Sequence, residues 1–282
     1  MKLRQVLAHL RKKLGENPIA NNPSLESEVL LRHVLKLSRS RFLLESDLEL
    51  TETQIEELDN LLQRRLQGEP LAYLLNNREF FGLDFYVDHR VLIPRPETET
   101  LVEEALAYFD NHNIASVADI GTGSGAIAIS LAVNLPHDVE IYAVDSSAAA
   151  LEVASLNCQK HGVSTRIKLL QGDLVQPLPA QLDLIIANLP YVPSAEVASM
   201  PSARYEPVKA LDGGENGLAE ITRLAHQLKE KPQAFQCLLL EIGFGQSVGV
   251  ISIFHQMFPD SRIETIKDLA GIERVIKLVN HD

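Results

Sequence analysis

Along the first 75 residues, apolar side chains recur every three or four positions with polar residues between them. Leu3, Val6, Leu7, Leu10 and Leu14 fall on one face of a helix. In "NNPSLESEVLLRHVL", Asn22 can cap a second helix whose first position is Pro23, where proline's missing N–H costs nothing. A further helix starts at Thr51, with Gln54 spaced to complete a capping box. Behind it, Ile55, Leu58, Leu61, Leu62 and Leu66 form one apolar face. Three or more such helices bury their stripes on one another, which predicts a small all-α bundle over residues 1–75.

The period changes at "REFFGLDFYVDHRVLIPRPETE". Phe80, Phe81, Phe85, Tyr86 and Val87 around Gly82 predict a hairpin. Pro94 and Pro96 interrupt regular structure before "ETETLVEEALAYF" starts a helix, so residues 76–92 read as a hairpin linker to a second domain, 93–282. From residue 117 strands alternate with helices: "SVADI", "EIYAVD", "IKLLQGD", "LDLIIAN" and "FQCLLLEIG" are the strands. Near-continuous apolar strands flanked by helices predict an α/β domain with a mostly parallel sheet covered on both faces. "RIETIKDL" and "GIERVIKLVN" read as an antiparallel pair closing one edge.

Composition narrows the function classes. The 282 residues are 45% hydrophobic and 23% charged, the profile of a soluble globular protein. No apolar run approaches the roughly 18 residues of a membrane span. "MKLRQVLAHLRKKLG" lacks the apolar core of a signal peptide, so a cytoplasmic location is expected. Cys158 and Cys237 lie in apolar stretches and are expected as buried free thiols. The nine histidines show no ligand spacing, and no metal site is expected. A net charge of −12 works against a phosphate backbone and suits a cationic ligand or a basic protein partner, so direct nucleic-acid binding is not expected.

The candidate chemistry sits at the strand ends. "VADIGTGSGAIAISLA" is a strand, a glycine turn and a helix, with Gly121, Thr122, Gly123, Ser124 and Gly125 forming the turn. Its spacing is G-x-G-x-G, not the G-x-G-x-x-G of dinucleotide folds. Asp145, after "IYAV", is placed to accept from both hydroxyls of a ribose. Asp173, after the third strand, is placed to receive a donor such as an adenine amino group. Asp119 beside the turn would repel a pyrophosphate but suits the ammonium and sulfonium of S-adenosylmethionine. That sign of charge favours a methyl donor over a nicotinamide cofactor.

"IANLPYVP" ends the fourth strand. An amide nitrogen is a poor nucleophile, and a site can activate it by gripping both N–H groups with acceptors. The Asn188 side-chain oxygen is one acceptor and the Leu189 carbonyl the second. Pro190 biases Leu189 toward extended backbone, and Tyr191 offers an aromatic face to a planar amide or base.

With these motifs in place, the chain resembles the peptide-chain release factor glutamine methyltransferases, a branch of the class I, Rossmann-like methyltransferases. The resemblance runs through "EPLAYLLNNREFFG" (69–82), "VLIPRPETETLVEEAL" (91–106), "DIGTGSGAIAISLA" (119–132), "ANLPY" (187–191), "RYEPVKALDGGENGL" (204–218), "LLLEIGFGQ" (238–246) and "GIERVI" (271–276). It implies methyl transfer from S-adenosylmethionine, leaving S-adenosylhomocysteine, to the side-chain nitrogen of the Gly-Gly-Gln glutamine of class 1 release factors. It also implies that Gly121–Gly125 and Asp145 contact the cofactor and that Asp173 and Leu174 flank its adenine. Asn188, which also borders the cofactor, Leu189, Pro190 and Tyr191 would hold the target amide, and the helical domain would meet the release factor. Two departures stand out: Leu189 replaces the family's first clamp proline, and "KEKPQAFQC" lacks a usual glycine pair, so that turn is expected to be shaped differently. An N6-adenine methyltransferase could use the same clamp, and a glutamine methyltransferase acting on a ribosomal protein shares nearly all the motifs. The roles of Arg95 and Glu97 stay open at this point.

Overall fold

A computed structural model describes residues 1–230 and 235–280. The chain divides into two compact units, Met1–Asn77 and Arg78–Asp282. The boundary places the predicted hairpin inside the second unit, so it does not stand apart as a linker. Residues 231–234, where the sequence leads to the expectation of a differently shaped turn, lie outside the described residues.

The first unit holds α1 (Leu3–Gly15), α2 (Pro23–Leu35), α3 (Arg39–Leu44), α4 (Glu52–Leu66) and α5 (Leu71–Leu74). Asn22 Oδ1 accepts from Leu25 N at 3.1 Å, and the Thr51–Gln54 box closes in both directions. Leu3, Val6, Leu10 and Leu14 pack with Leu30, Leu31, Leu58, Leu61 and Leu62 in one core. Each such leucine contributes roughly 1.5–3 kcal/mol on burial. Periodicity does not announce the buried ion pair within that unit, in which Arg65 Nε donates to Glu26 Oε2 at 2.7 Å.

The second unit opens with the hairpin β1 (Arg78–Phe80) and β2 (Leu83–Phe85), then α6 (Glu99–Asn111). Pro96 does not simply interrupt: it opens a 3₁₀ turn, Pro96–Thr98, that runs into α6, as proline does at first helical positions. There follow β3 (Ser116–Ile120), α7 (Ala126–Asn134), β4 (Glu140–Asp145), α8 (Ala148–Lys160), β5 (Ile167–Gln171), β6 (Leu184–Ala187), α9 (Ser194–Val197), α10 (Ala219–Glu230), β7 (Cys237–Glu241), α11 (Ser247–Met257), β8 (Arg262–Lys267) and β9 (Glu273–Val279).

These strands make a seven-stranded sheet in the order β5-β4-β3-β6-β7-β9-β8. Pairs among β3 to β7 are parallel, whereas β9 runs antiparallel to both neighbours. β6 and β7 are buried at every position, which is why they read as unbroken apolar runs. Strand order reverses about β3, and the crevice beyond the carboxyl ends of β3 and β6 is where such sheets place ligands. Cys158 and Cys237 are free and buried, and burial pushes their thiols up to about 11 and about 12. Among the described residues no helix is long and apolar enough to cross a membrane.

Candidate active site

The crevice is a cavity of about 680 Å³ whose lining includes Gly121, Gly123, Asp145, Asp173, Leu174, Asn188, Leu189 and Pro190. Four strand ends therefore converge on it, those of β3, β4, β5 and β6. The glycine turn supplies one wall. Gly121, Gly123 and Gly125 all have positive φ, a region closed to most side chains. A Cβ on Gly125 would also lie 2.9 Å from Ile129 Cδ1.

Asp119, Thr122, Ser124 and Gly125 are not among the lining residues. Asp119 is 1% exposed; its Oδ2 accepts from Thr122 Oγ1 at 2.6 Å and from Ala128 N at 3.2 Å, so it braces the turn from beneath. Burial pushes its carboxyl up to about 7 against those two bonds. Asp119 Oδ1 is buried without a hydrogen-bond partner among the described residues. Behind the turn, Asn157 Nδ2 donates to Ser124 O and to Tyr86 O, tying the segment after the hairpin to the loop.

Asp145 lies in the cavity wall, its Oδ2 accepting from Gly123 N and its Oδ1 from Ser147 N, both at 2.9 Å. Each oxygen keeps a second lone pair for a ligand. Burial raises its pKa, opposed by the backbone N–H groups of Ser147, Gly123 and Ser146.

Asp173 lies in the cavity lining, with its carboxylate already engaged by protein donors. Both its oxygens accept from the Arg223 guanidinium, at 2.7 and 2.8 Å, and Gln227 Nε2 donates to Oδ2 at 2.9 Å. Gln176 Nε2 also donates to Oδ2, at 3.5 Å, so a ligand amino group would share this carboxylate with three protein side chains. Leu174 beside it sits at φ 50°, strained for a branched side chain, a kind of outlier that gathers at functional sites.

Asn188 and Leu189 lie one and two residues beyond β6. Asn188 Nδ2 donates to Thr98 Oγ1 at 3.0 Å, and among the described residues no donor meets Asn188 Oδ1 or the Leu189 carbonyl. The Leu189 side chain, 4% exposed, joins the core beneath the glycine turn, which explains how leucine serves in place of proline. Tyr191 is not in the cavity lining; its hydroxyl donates to Glu241 Oε1 at 3.1 Å, and burial together with that carboxylate raises its pKa well above the ordinary tyrosine value.

Two partnerships were invisible to sequence reasoning. The 211–217 loop is stapled to the backbone after β6: Val192 N donates to Leu211 O, Gly213 N to Val192 O, and Gln246 Nε2 to Tyr191 O. Arg95 forms an ion pair with Glu206, whose side chain is fully buried and also accepts from Ile93 N. Arg95 thus braces the segment before α6 against the one carrying Pro207–Ala210, which lines the cavity. Glu97 is a neighbouring negative charge that raises the pKa of both Tyr191 and Glu241.

Two family models match: the PrmC N-terminal domain over residues 5–75 and the methyltransferase small domain over 98–202. A release factor glutamine methyltransferase of Moorella thermoacetica is 40% identical over 276 residues, 97% of each chain. One of Geobacter sulfurreducens is 39% identical, covering 97% of this chain and 95% of that one. Among solved structures, the N-terminal domain of human METTL16 in complex with SAH aligns with a TM-score of 0.51 at 14% identity, over 99% of this chain and 95% of that one. The human methyltransferase 10 domain containing protein aligns with a TM-score of 0.50 at 16% identity, over 71% of this chain and 91% of that one. At such identity these two structures speak for the fold alone.

Proposed function

The chain belongs to the release factor glutamine methyltransferase family, and from that membership we propose that it transfers a methyl group from S-adenosylmethionine to the side-chain nitrogen of the glutamine in the Gly-Gly-Gln motif of class 1 release factors. The observation that carries the proposal is the pair of unmet acceptors, Asn188 Oδ1 and the Leu189 carbonyl, beside a cavity that Asp145 also lines.

The residues present fit the cofactor. The positive-φ turn leaves room where a Cβ would intrude, and Asp145, in the cavity wall, has lone pairs for ribose hydroxyls. When bound, S-adenosylmethionine supplies an electrophilic methyl group on a positively charged sulfur. The chain's own task is to present the glutamine nitrogen. Asn188 Oδ1 and Leu189 O would each accept one N–H of the target carboxamide, which aims the nitrogen's lone pair at the methyl position, and one of those two protons would leave to water as the nitrogen takes the methyl. Orientation of this kind is worth large effective molarities. The acceptors are preorganised by the protein and need not reorient during the reaction.

Replacing Asp145 with alanine removes the ribose acceptor. A hydrogen bond to a charged group contributes about 1.5–3 kcal/mol, so the S-adenosylhomocysteine dissociation constant measured by calorimetry should rise roughly 10- to 150-fold. An unchanged constant would take Asp145 out of the cofactor contact.

The helical unit is proposed to meet the release factor; its α3 leaves Leu43 and Leu44 exposed as apolar surface for a protein to cover. We propose a cytoplasmic location, where a translation factor would be met. Mass spectrometry tests the proposal as a whole. A release factor incubated with enzyme and methyl donor should gain one methyl, 14 mass units by composition, on the motif glutamine (about that for one CH₂ added). An untouched release factor beside a methylated ribosomal protein or nucleic acid would reassign the substrate.

A further inference from the structure

The two oxygens of Asp173 are not equivalent. Oδ2 accepts from Arg223 Nη2 at 2.8 Å, from Gln227 Nε2 at 2.9 Å and from Gln176 Nε2 at 3.5 Å. Among the described residues, Oδ1 accepts from Arg223 alone, at 2.7 Å. A carboxylate oxygen offers two lone pairs. Oδ2 is therefore filled, while Oδ1 keeps one lone pair for a ligand in the cavity that Asp173 lines.

This asymmetry comes from one face of α10. Glu220, Arg223 and Gln227 are spaced to fall in line along the helix. Arg223 stands between two carboxylates, with Nη1 also donating to Glu220 Oε2 at 2.5 Å. Its pair with Asp173 joins side chains that are 49% and 37% exposed, and such pairs add little stability. It also bonds both Asp173 oxygens alike, so it fixes a distance more than a direction. Gln227 does what Arg223 cannot. Its Nε2 meets Asp173 and its Oε1 accepts from Val175 N at 3.2 Å, so one side chain grips both ends of the 173–175 turn. Between the two grips lies Leu174 at φ 50°, a backbone conformation that persists only where neighbours hold it.

We infer that Gln227 is a positioning residue for cofactor selection: it pins the strained 173–175 turn and fills Asp173 Oδ2, which leaves Oδ1 to accept the 6-amino group of the cofactor's adenine. The inference rests on the reading of the cavity as an S-adenosylmethionine site. A 6-oxo purine in the same place would set oxygen against oxygen, and a site built to hydrogen-bond a donor rejects a ligand that lacks it.

Calorimetry on the full chain tests this with two ligands, S-adenosylhomocysteine and S-inosylhomocysteine, which carries a carbonyl oxygen in place of the 6-amino group. The wild type should prefer S-adenosylhomocysteine by about 10- to 150-fold, the worth of one hydrogen bond to a charged group. Gln227→Met keeps the length of the side chain and loses both polar contacts. Its preference should fall at least about tenfold on the same scale, through weaker S-adenosylhomocysteine binding alone. Gln227→Glu keeps the acceptor for Val175 and loses only the donor to Asp173, and it should show the same fall. Thermal melting establishes that each variant is folded, and Gln227→Glu carries the test should Gln227→Met fail to fold. A folded variant that keeps the wild-type preference, or that weakens both ligands equally, overturns the inference, as does a wild type with no preference. A wild type that binds neither ligand overturns instead the cofactor reading.

Discussion

Asn188→Ala is expected to cut single-turnover methyl transfer to a release factor by about 10²–10³-fold, or about 2.7–4 kcal/mol, the usual cost of removing one preorganised electrostatic group. S-adenosylhomocysteine should bind within a few-fold of its normal affinity. The two readouts separate because, among the described residues, the Asn188 side chain hydrogen-bonds Thr98 and not the glycine turn or Asp145. Loss of the side chain leaves Leu189 O as the sole acceptor, and one acceptor fixes a distance but not a direction. The target nitrogen is then free to rotate its lone pair away, so the loss should fall on kcat more than on KM. A variant turning over within a factor of about three of wild type would remove Asn188 from the chemistry, since that is below 1 kcal/mol.

How far this site could be read in the sequence depends on how local each feature is. Caps and turns are local: Asn22, the Thr51–Gln54 box and the glycine turn each consist of neighbours within a few residues, and each is found where the spacing puts it. Strand ends are nearly as legible, because an apolar run that stops at Asp145 or Asn188 marks the carboxyl end of a buried strand. Partnerships across the sheet are not local. Thr98 meets Asn188 across 90 positions and Tyr191 meets Glu241 across 50. The second pair exists because β6 lies beside β7, and the first because the turn opening α6 reaches the end of β6, neighbourhoods that hydrophobic period does not encode. The same gap explains Asp173: its place after β5 was readable, but Arg223 reaches it from α10, fifty residues later. Its place just before the glycines points Asp119 toward the ligand in the sequence. The helical hydrogen bond from Ala128 and the hydroxyl of Thr122 instead draw its Oδ2 under the turn. "DGGENGL" carries a signal of its own, since three glycines in five residues seldom occur without a close backbone approach.

Gly217 is where that approach is tightest, and Gly217→Ala should be among the most damaging single-methyl additions in the chain. Its φ is 75°, and a Cβ there would fall well inside contact distance of the Tyr191 carbonyl oxygen and 2.5 Å from Gln246 Nε2. Neither neighbour can yield freely. Gln246 Nε2 donates to that same carbonyl at 2.8 Å while its Oε1 accepts from Gly243 N, so the amide is held at both ends. Tyr191 is held through its hydroxyl by Glu241. The methyl must therefore push the backbone of the clamp itself. Overpacking costs about 1–3 kcal/mol and a non-glycine residue at this φ about 1–3 more, so the melting temperature should fall by roughly 4–24 °C. Methyl transfer should fall further than folding does, by about 100-fold at a temperature where the variant is folded, because a displacement near 1 Å is enough to misalign a reacting group. Gly162→Ala isolates the crowding: Gly162 has φ 69° but nothing within 4 Å of a Cβ, so it carries the strain without the clash. Equal losses of activity in the two variants would mean that the 211–217 loop does not hold the clamp in place.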